Sequence, residues 1–454
     1  MKTKYINYLL ILVTLALWSC EPKVDEFVPS AGSADFSVFV SVGDSYSAGY
    51  IDGALSDYGQ TTGFTNIMAT QLKSVGAGDF KQPMLLAGTS VGSSLNGSYK
   101  LQVVHGKLMP MPTTGNPELF TDPTTWINSK GPFNNVGVPG AKSFHLLSPL
   151  FGDPTQGSGN FNPYYTRFAS NPGVSTVIGD AMLNNPTFFS LWIGGNDILW
   201  YALGGGTGSA SGLGSHDITP DLIFKASISG LISNLTMKGA KGVLCNIPGI
   251  DALPYFSYIK YNDLELTADR VTLLNSAYAG YNQAAEANGK PKIEFAEGRN
   301  PFVIADAGAF LGMRQMKEGE KVLLSALSGI LGDEHWGSAT PMPDNESLTI
   351  TEIGNITTAV DRFNAIIKSA ADDNDLAFVD ANSVMNDLMH GIIIDGVGYN
   401  TEFVTGGMFS LDGIHASGRG YAIIANAFIK AINAKYGATV PMANVNDFIG
   451  VEMP

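Results

Sequence analysis

The stretch Phe39-Val40-Ser41-Val42-Gly43-Asp44-Ser45-Tyr46-Ser47 decides the fold, because an apolar run ends there in a glycine, an acid and a serine. β-Branched and aromatic residues dominate from Phe36 to Val42, which predicts a first strand, and Gly43 allows a sharp turn. Ligands of open α/β sheets bind in the crevice beyond the carboxyl ends of the strands. We therefore expect the Ser45 hydroxyl to face such a crevice rather than the core.

Strands and helices alternate along the rest of the chain, which predicts a parallel sheet wrapped by helices. The stretch of about 75–130, rich in Gly, Pro, Ser, Thr and Met, interrupts the alternation and is interpreted as an insertion, either a surface elaboration or a cover of the crevice. A second insertion-like region is predicted over about 298–345. The predicted helices are Gly63–Leu72, Asp221–Met237, Leu264–Ala287 and Thr349–Ala371, and the later predicted strands begin near Asn134, Phe188, Gly242 and Leu376.

The amino-acid composition limits the kinds of protein that this chain can be. A chain of 454 residues with 44% hydrophobic residues can bury a large core, either as two domains or as one heavily decorated domain. Charged residues make up only 15%, whereas Gly numbers 53 and Pro 23, a pattern typical of exported proteins with many surface loops. The net charge of −15 has no basic cluster to offset it, so the protein is expected to be repelled by nucleic acid and by anionic membrane surfaces, and nucleic acid is not expected as a partner.

The first residues carry a targeting signal. Met1-Lys2-Thr3-Lys4 precedes an apolar run from Tyr8 to Trp18 that is too short to span a bilayer, so residues 1–19 are predicted to be a signal peptide. Leu17-Trp18-Ser19-Cys20 resembles a bacterial lipobox, which implies that Cys20 is lipidated; the alternative is a plain signal peptide with an incidental cysteine. Residues 20–34 would then be a polar tether, and the protein a lipoprotein of the cell envelope, expected in the outer membrane of a Gram-negative bacterium.

The second cysteine, Cys245, lies in the apolar run Gly242-Val243-Leu244-Cys245-Asn246-Ile247. With Cys20 lipidated there is no pair to oxidise, so we expect no disulfide and a buried Cys245.

A histidine and an aspartate suited to activating a serine lie near the end of the chain, in Ser410-Leu411-Asp412-Gly413-Ile414-His415-Ala416-Ser417. A serine hydroxyl is a poor nucleophile unless a base takes its proton. We predict a loop here, because Gly413 disfavours helix and Ser417 can cap the next helix. Asp412 can then accept from His415 Nδ1 and leave Nε2 free for Ser45.

Two further polar turns follow predicted strands. Val136-Gly137-Val138-Pro139-Gly140 ends in a glycine whose backbone N–H can approach a ligand closely, and Gly194-Gly195-Asn196-Asp197 follows a strongly apolar strand. The glycine-rich run 204–214 lacks the Lys-Ser/Thr ending of a phosphate loop and is predicted to be a flexible loop. A metal site is not indicated: there is no His-Glu-x-x-His, and apart from His415 the histidines are interpreted as surface or structural residues, namely His105, His145, His216, His335 and His390.

Taken in order, these segments resemble the four blocks of the SGNH hydrolases, also called GDSL esterases and lipases. The matching residues are Gly43-Asp44-Ser45-Tyr46, Gly140, Gly194-Gly195-Asn196-Asp197 and Asp412-Gly413-Ile414-His415, with Tyr46 in place of the commoner leucine. That substitution is expected to affect the shape of the pocket more than the chemistry. The blocks are short and leave the insertions uncovered. An α/β-hydrolase elbow does not fit, because Ser47 stands where its second glycine would be.

The resemblance implies a flavodoxin-like three-layer sandwich with a central parallel sheet, decorated by the two insertions and spanning 35–440, with 441–454 as a tail. It implies that Ser45 attacks an ester carbonyl, that His415 is the general base and then acid, and that Asp412 orients it. The oxyanion hole would comprise the backbone N–H groups of Ser45 and Gly140 and the Asn196 side chain. Asp197 would be structural, bonded to local backbone, and no cofactor would be needed.

Two hypotheses of different classes follow. The first is a lipid-anchored serine esterase whose substrate is an acyl lipid or an O-acyl glycan. The second is a non-catalytic surface lipoprotein that binds glycan or lipid on the same scaffold. The complete set of serine, glycine, asparagine, aspartate and histidine favours the first, because a binding protein has no need of all five.

Overall fold

The structure is a computed structural model that describes residues 28–104, 107–121 and 131–454. The predicted signal peptide, Cys20 and most of the predicted tether lie outside the described residues, as do His105 and 122–130 of the first insertion.

Five parallel strands form the central sheet, in the order β2-β1-β3-β4-β5. This is the flavodoxin-like order, so the predicted sheet is confirmed. The strand order reverses between β1 and β3, which places a crevice at their carboxyl ends. The strands are β1 Phe39–Gly43, β2 Asn135–Gly137, β3 Phe188–Trp192, β4 Lys241–Cys245 and β5 Ala377–Val379.

Helices cover both faces of the sheet, giving three layers. On one face, the ring of Phe64 in α2 lies 4.9 Å from the ring of Phe428 in α6. On the other face, Phe224 of α4 stacks on Phe363 of α5, with ring centroids 3.9 Å apart. The labelled helices are α1 Ser45–Ala48, α2 Phe64–Leu72, α3 Asn196–Leu203, α4 Asp221–Thr236, α5 Ile350–Asp373 and α6 Gly418–Tyr436.

The first insertion forms small antiparallel sheets beside the sandwich. Strands Tyr99–Val104 and Lys107–Pro112 make a hairpin, and Ser90–Val91 pairs with the strand Ala54–Ser56. The remaining α-helices are Asp57–Thr62, Glu118–Thr121, Pro163–Thr166, Val177–Met182, Pro254–Ser257, Ala268–Ala277, Ala279–Ala287, Leu327–Leu331 and Ala381–His390. The remaining strands are Tyr50–Ile51, Leu264–Leu266, Gly298–Asn300, Val303–Ala305, Met313–Gln315, Lys321–Val322, Ser347–Leu348, Ile392–Ile394 and Val397–Tyr399.

The predicted helix Leu264–Ala287 is wrong in its first residues. Leu264–Leu266 is a strand that pairs antiparallel with Gly298–Asn300, and two helices follow it, separated at Tyr278. These helices bury Leu274 and Tyr278 in an apolar cluster with Ile293 and Phe295, apart from the main core. Helical periodicity indicates an apolar face but not which surface covers it, and here the covering residues lie outside the main core.

Both described ends of the domain lie against α6. Ser33 N–H donates to Tyr436 O at the end of α6 at 2.8 Å, and Asn426 on α6 exchanges two hydrogen bonds with Ala443. Within the described part of the chain, no helix combines the length and the apolar character needed to cross a bilayer. Cys245 is a free, buried thiol in β4, as expected.

We predict that Phe224→Ala lowers the free energy of unfolding by roughly 3–5 kcal/mol, measured by urea denaturation of the purified protein. The ring is fully buried and stacked, so its removal leaves a cavity between α4 and α5. Leu222→Ala on the same helix is the control: Leu222 is 77% exposed, and its loss should change stability by less than about 0.5 kcal/mol. Equal effects of the two substitutions would contradict this packing.

Candidate active site

Ser45 begins the short helix α1 directly after β1. Asp44 caps that helix: its Oδ1 accepts from Tyr46 N–H at 3.1 Å, and its carbonyl accepts from Ala48 N–H at 3.0 Å. Only 8% of Ser45 is exposed. The turn therefore holds the hydroxyl in one place at the carboxyl end of the sheet, as predicted.

The segment carrying Asp412 and His415 is a closed loop, also as predicted. Ser410 N–H donates to His415 O at 2.8 Å, which closes the loop on itself. Ser417 then caps α6, its Oγ accepting from Gly420 N–H at 3.1 Å. The first turns of α6 are buried, so the loop is anchored to the body of the protein.

The structure brings Ser45, Asp412 and His415 together. Ser45 Oγ lies 2.8 Å from His415 Nε2, and His415 Nδ1 lies 2.8 Å from Asp412 Oδ2. Burial raises the pKa of Asp412, but the His415 imidazole and two backbone N–H groups outweigh it and lower that pKa to about 2. An ionised Asp412 can only accept, so Nδ1 carries the imidazole proton and Nε2 accepts from the serine hydroxyl.

Two tyrosines flank the imidazole. The ring centroids of Tyr46 and Tyr50 lie 5.2 Å and 4.7 Å from that of His415. Tyr46 also donates its hydroxyl proton to Ile414 O at 2.5 Å. Tyr46 therefore connects the serine turn to the loop that carries His415.

The three expected oxyanion donors differ in their hydrogen bonding. The N–H groups of Ser45 and Gly140 make no hydrogen bond to any residue in the described ranges. Gly140 has φ +77°, which a side chain would strain, and Trp200 Nε1 donates to its carbonyl at 3.3 Å. Asn196 Nδ2 donates to Ala141 O at 3.0 Å, which leaves its second N–H available.

Asp197 is structural, but its partners are not local. Its two carboxylate oxygens accept from the backbone N–H and the hydroxyl of Ser143, at 2.7 and 2.8 Å, and Ser143 lies 54 residues earlier. Burial raises the pKa of Asp197 to about 6, although the bonds from Ser143 lower it. Asp197 therefore fixes the loop that carries Gly140.

The glycine-rich run 204–214 is a loop, as predicted, and hydrogen bonds from the buried Lys142 side chain hold its end in place. Lys142 Nζ donates to the carbonyls of Gly214 and Asp217 at 2.9 and 2.8 Å. Neighbouring His145 accepts from Lys142 N–H through Nδ1, and burial lowers its pKa to about 4. His145 thus has a structural role. The structure shows no group of three His, Cys, Asp or Glu suited to a metal ion among the residues it describes.

One cavity opens beside Ser45, and a second one is lined by Gly140. The first has about 590 Å³ of empty space, including open solvent, and a mostly apolar wall next to the Ser45 hydroxyl and the His415 imidazole. The residues of that wall are Trp192, Ile198, Leu199, Ile247, Pro248, Ile250, Leu253, Val360 and Ile414. The second is a cleft of about 1,880 Å³, also including open solvent, which starts at Gly140 and has a mixed polar and aromatic wall that includes Tyr164 and Trp200.

Sequence reasoning missed one part of the site, the turn Asp52-Gly53. Gly53 N–H donates to Asp412 Oδ2 at 2.9 Å, the same oxygen that His415 contacts. The signal was present, because Asp-Gly between short β-prone runs is a strong indicator of a two-residue hairpin. What that hairpin touches could not be read from the pattern.

Comparisons with known proteins give only distant similarities. No protein-family model matches the chain, and no curated protein matches it. Among solved structures, the acetylxylan esterase Axe2 from Geobacillus stearothermophilus is similar with a TM-score of 0.35 at 10% identity, over 88% of this chain and 96% of that one. LAE5, an α/β hydrolase enzyme from the metagenome of Lake Arreo in Spain, gives 0.37 at 10% identity, over 88% and 97%. Similarity at this level supports no conclusion about activity.

We predict that Asp44→Asn removes a pH-dependent cost in stability. Burial raises the pKa of Asp44 from 3.8 to about 7. Between pH 4 and 7 the folded protein therefore binds more protons than the unfolded chain, so wild-type stability falls as pH rises through that window. Asparagine can accept from Tyr46 N–H without ionising. The stability of the variant relative to wild type should therefore rise by up to roughly 4 kcal/mol between pH 4 and pH 8.

The measurement is urea denaturation at several pH values. Asp387→Asn, at an exposed position, is the control and should leave the pH dependence of the wild type unchanged. Parallel stability curves for wild type and Asp44→Asn would show that Asp44 is not held neutral by burial.

Proposed function

We propose that the chain is a serine hydrolase that cleaves carboxylic esters, of the SGNH type indicated by its four sequence blocks. The observation that carries this proposal is the pair of 2.8 Å contacts that joins Asp412 to His415 and His415 to Ser45. A hydroxyl next to a base whose tautomer is fixed by a carboxylate is the arrangement that acyl transfer requires.

The reaction follows from these contacts. Ser45 Oγ attacks the ester carbonyl carbon while its proton passes to His415 Nε2, and Asp412 stabilises the imidazolium that forms. The carbonyl oxygen becomes an oxyanion that accepts from Ser45 N–H, Gly140 N–H and Asn196 Nδ2. As the intermediate collapses, the imidazolium donates its proton to the departing alcohol oxygen. Water then attacks the acyl-enzyme by the same route, releasing the acid and restoring Ser45.

The lining of the first cavity supports an ester with an apolar portion longer than acetate. Aliphatic side chains from four parts of the chain meet beside the nucleophile, including Ile198, Ile247, Leu253 and Val360. Each methylene that such a wall removes from water contributes about 0.8 kcal/mol. We therefore propose that turnover increases with acyl length until the cavity is filled.

We predict that Ser45→Ala lowers kcat by roughly 10⁴-fold or more on nitrophenyl esters, and that in the wild type butyrate to octanoate esters exceed acetate in kcat/KM. Ser47→Ala is the matched control. Ser47 lies on the same short helix, and its Oγ makes no hydrogen bond to another described residue, so its removal should leave turnover within about twofold.

Equal turnover by wild type and Ser45→Ala would overturn the catalytic proposal and favour a protein that only binds its ligand. A strict preference for acetate would instead keep the reaction and reject the proposed acyl preference.

We also propose that the protein is an exported lipoprotein of the cell envelope, anchored through Cys20, which the N-terminal sequence supports. The prediction is that radiolabelled fatty acid is incorporated into the full chain in a bacterial host and that Cys20→Ser abolishes the label. Cys245→Ser is the control and should retain it, because that thiol is buried. Equal labelling of Cys20→Ser and wild type would refute the anchor.

A further inference from the structure

The hairpin that follows the serine helix ends in a two-residue turn with a specific shape. Strands Tyr50–Ile51 and Ala54–Ser56 are joined by Asp52 and Gly53, whose φ angles are +53° and +75°. Two left-handed residues in succession make the turn that matches the twist of a β-hairpin, and Asp-Gly is among its preferred sequences. The tip is therefore a rigid element rather than a loose loop.

That tip is hydrogen-bonded to the loop of the triad at three points. Asp52 N–H donates to Ser410 Oγ at 3.1 Å, Asp52 Oδ1 accepts from Leu411 N–H at 2.9 Å, and Gly53 N–H donates to Asp412 Oδ2 at 2.9 Å. These bonds run between residues about 359 positions apart in sequence. The hairpin thus holds three consecutive residues of the loop in register with the serine turn.

The base of the hairpin contacts the imidazole as well. The Tyr50 ring lies 4.7 Å from the ring of His415, and its hydroxyl donates to Gly53 O at 2.6 Å. One hairpin therefore supports both the carboxylate that orients the imidazole and the imidazole itself. A shift of the tip would move Asp412 relative to His415.

The Asp52 side chain is a second acid beside the triad. It is half-buried, and the charged or titratable groups that face it are Asp412 and His415 from the loop, Glu452 from the C-terminal segment and Tyr58 from the next helix. Burial raises its pKa to about 7, with Asp412 and Glu452 adding to the rise and the bond from Leu411 opposing it. The Asp52 side chain therefore gains its negative charge as the pH rises through neutrality.

We propose that Asp52 is a positioning residue for this reaction, which rests on the proposed function: its carboxylate holds Leu411, and with it Asp412, so that His415 stays aligned with Ser45. The ionised side chain is the better acceptor for Leu411 N–H, and its negative charge favours the imidazolium that forms as Ser45 attacks. Asp52 touches no reacting atom: it acts by holding the loop and through the charge that it places near His415.

The chain provides a matched control for the turn itself. Asp395-Gly396 joins strands Ile392–Ile394 and Val397–Tyr399 with φ angles of +48° and +81°, the same turn conformation. Its exposed tip makes no hydrogen bond to residues 410–415. Asp395→Ala therefore measures the cost of a left-handed alanine without touching the triad loop.

The experiment uses the purified full-length chain and a nitrophenyl ester, with kcat and KM measured from pH 5.5 to 8.5 for wild type and the Asp52 and Asp395 variants. Asp52→Ala should lower kcat by about 10- to 100-fold with KM within about twofold, because the loop loses its support while the cavity is intact. Asp52→Asn keeps an acceptor but no charge. Its kcat should equal that of the wild type at pH 5.5 and fall about three- to tenfold below it at pH 8.5. Asp395→Ala should match the wild type throughout.

A constant ratio of wild type to Asp52→Asn across pH, with Asp52→Ala no worse than Asp395→Ala, would overturn the proposal and leave Asp52 as a turn residue only. Thermal unfolding of each variant shows whether it is folded, and if Asp52→Ala is not, the pH dependence of Asp52→Asn decides. Absence of Ser45-dependent turnover in the wild type would instead refute the proposed function, and this proposal with it.

Discussion

The buried carboxylate of Asp412 is the constraint on which the site depends. An ionised group removed from water must be compensated by donors, or it either takes up a proton or destabilises the fold by several kcal/mol. Some donors come from its own loop, but Gly53 N–H comes from the hairpin just after the serine turn. The hydrogen bonds to Asp412 therefore require the hairpin after the serine turn and the loop near the C-terminus to be adjacent in the folded domain. The donors to its two oxygens are Gly53 N–H, Ser410 Oγ–H, Ile414 N–H, His415 N–H and His415 Nδ1–H.

The strand order of the central sheet is the second feature that fixes the geometry of the site. Because β2 and β3 lie on either side of β1, the loops that follow these three strands meet at one edge. Neighbouring residues of α3 then fix the loop after β2: Asn196 donates to Ala141, and Asp197 accepts twice from Ser143. The position of Gly140, one of the oxyanion donors proposed above, therefore depends on the buried carboxylate of Asp197. Stabilisation of an oxyanion is effective only when its donors are held in place before the reaction.

Local sequence patterns correctly predicted the features that depend on residues close together in sequence. The apolar runs of the sheet, the serine turn and the Ser417 cap each depend on neighbours within a few residues, and all were found where expected. The failures involve contacts far apart in sequence. The segment Leu264–Ala287 has a helical period, yet its first residues pair with a strand about 35 positions later. Likewise, Asp52-Gly53 predicts a turn, but its partners lie near the opposite end of the chain.

The pKa values of the site's aspartates could not be predicted from the sequence, because they depend on burial and on hydrogen-bond donors rather than on residue type. Asp44, Asp52 and Asp412 are three aspartates within one region, yet burial raises the pKa of the first two to about 7, while the surrounding donors and the imidazole hold that of Asp412 near 2. Each raised pKa lowers the stability of the folded state as pH rises from about 4 to 7. Burial of the large apolar core offsets that cost. The aspartate whose ionisation the proposed chemistry requires is the one that the fold surrounds with donors.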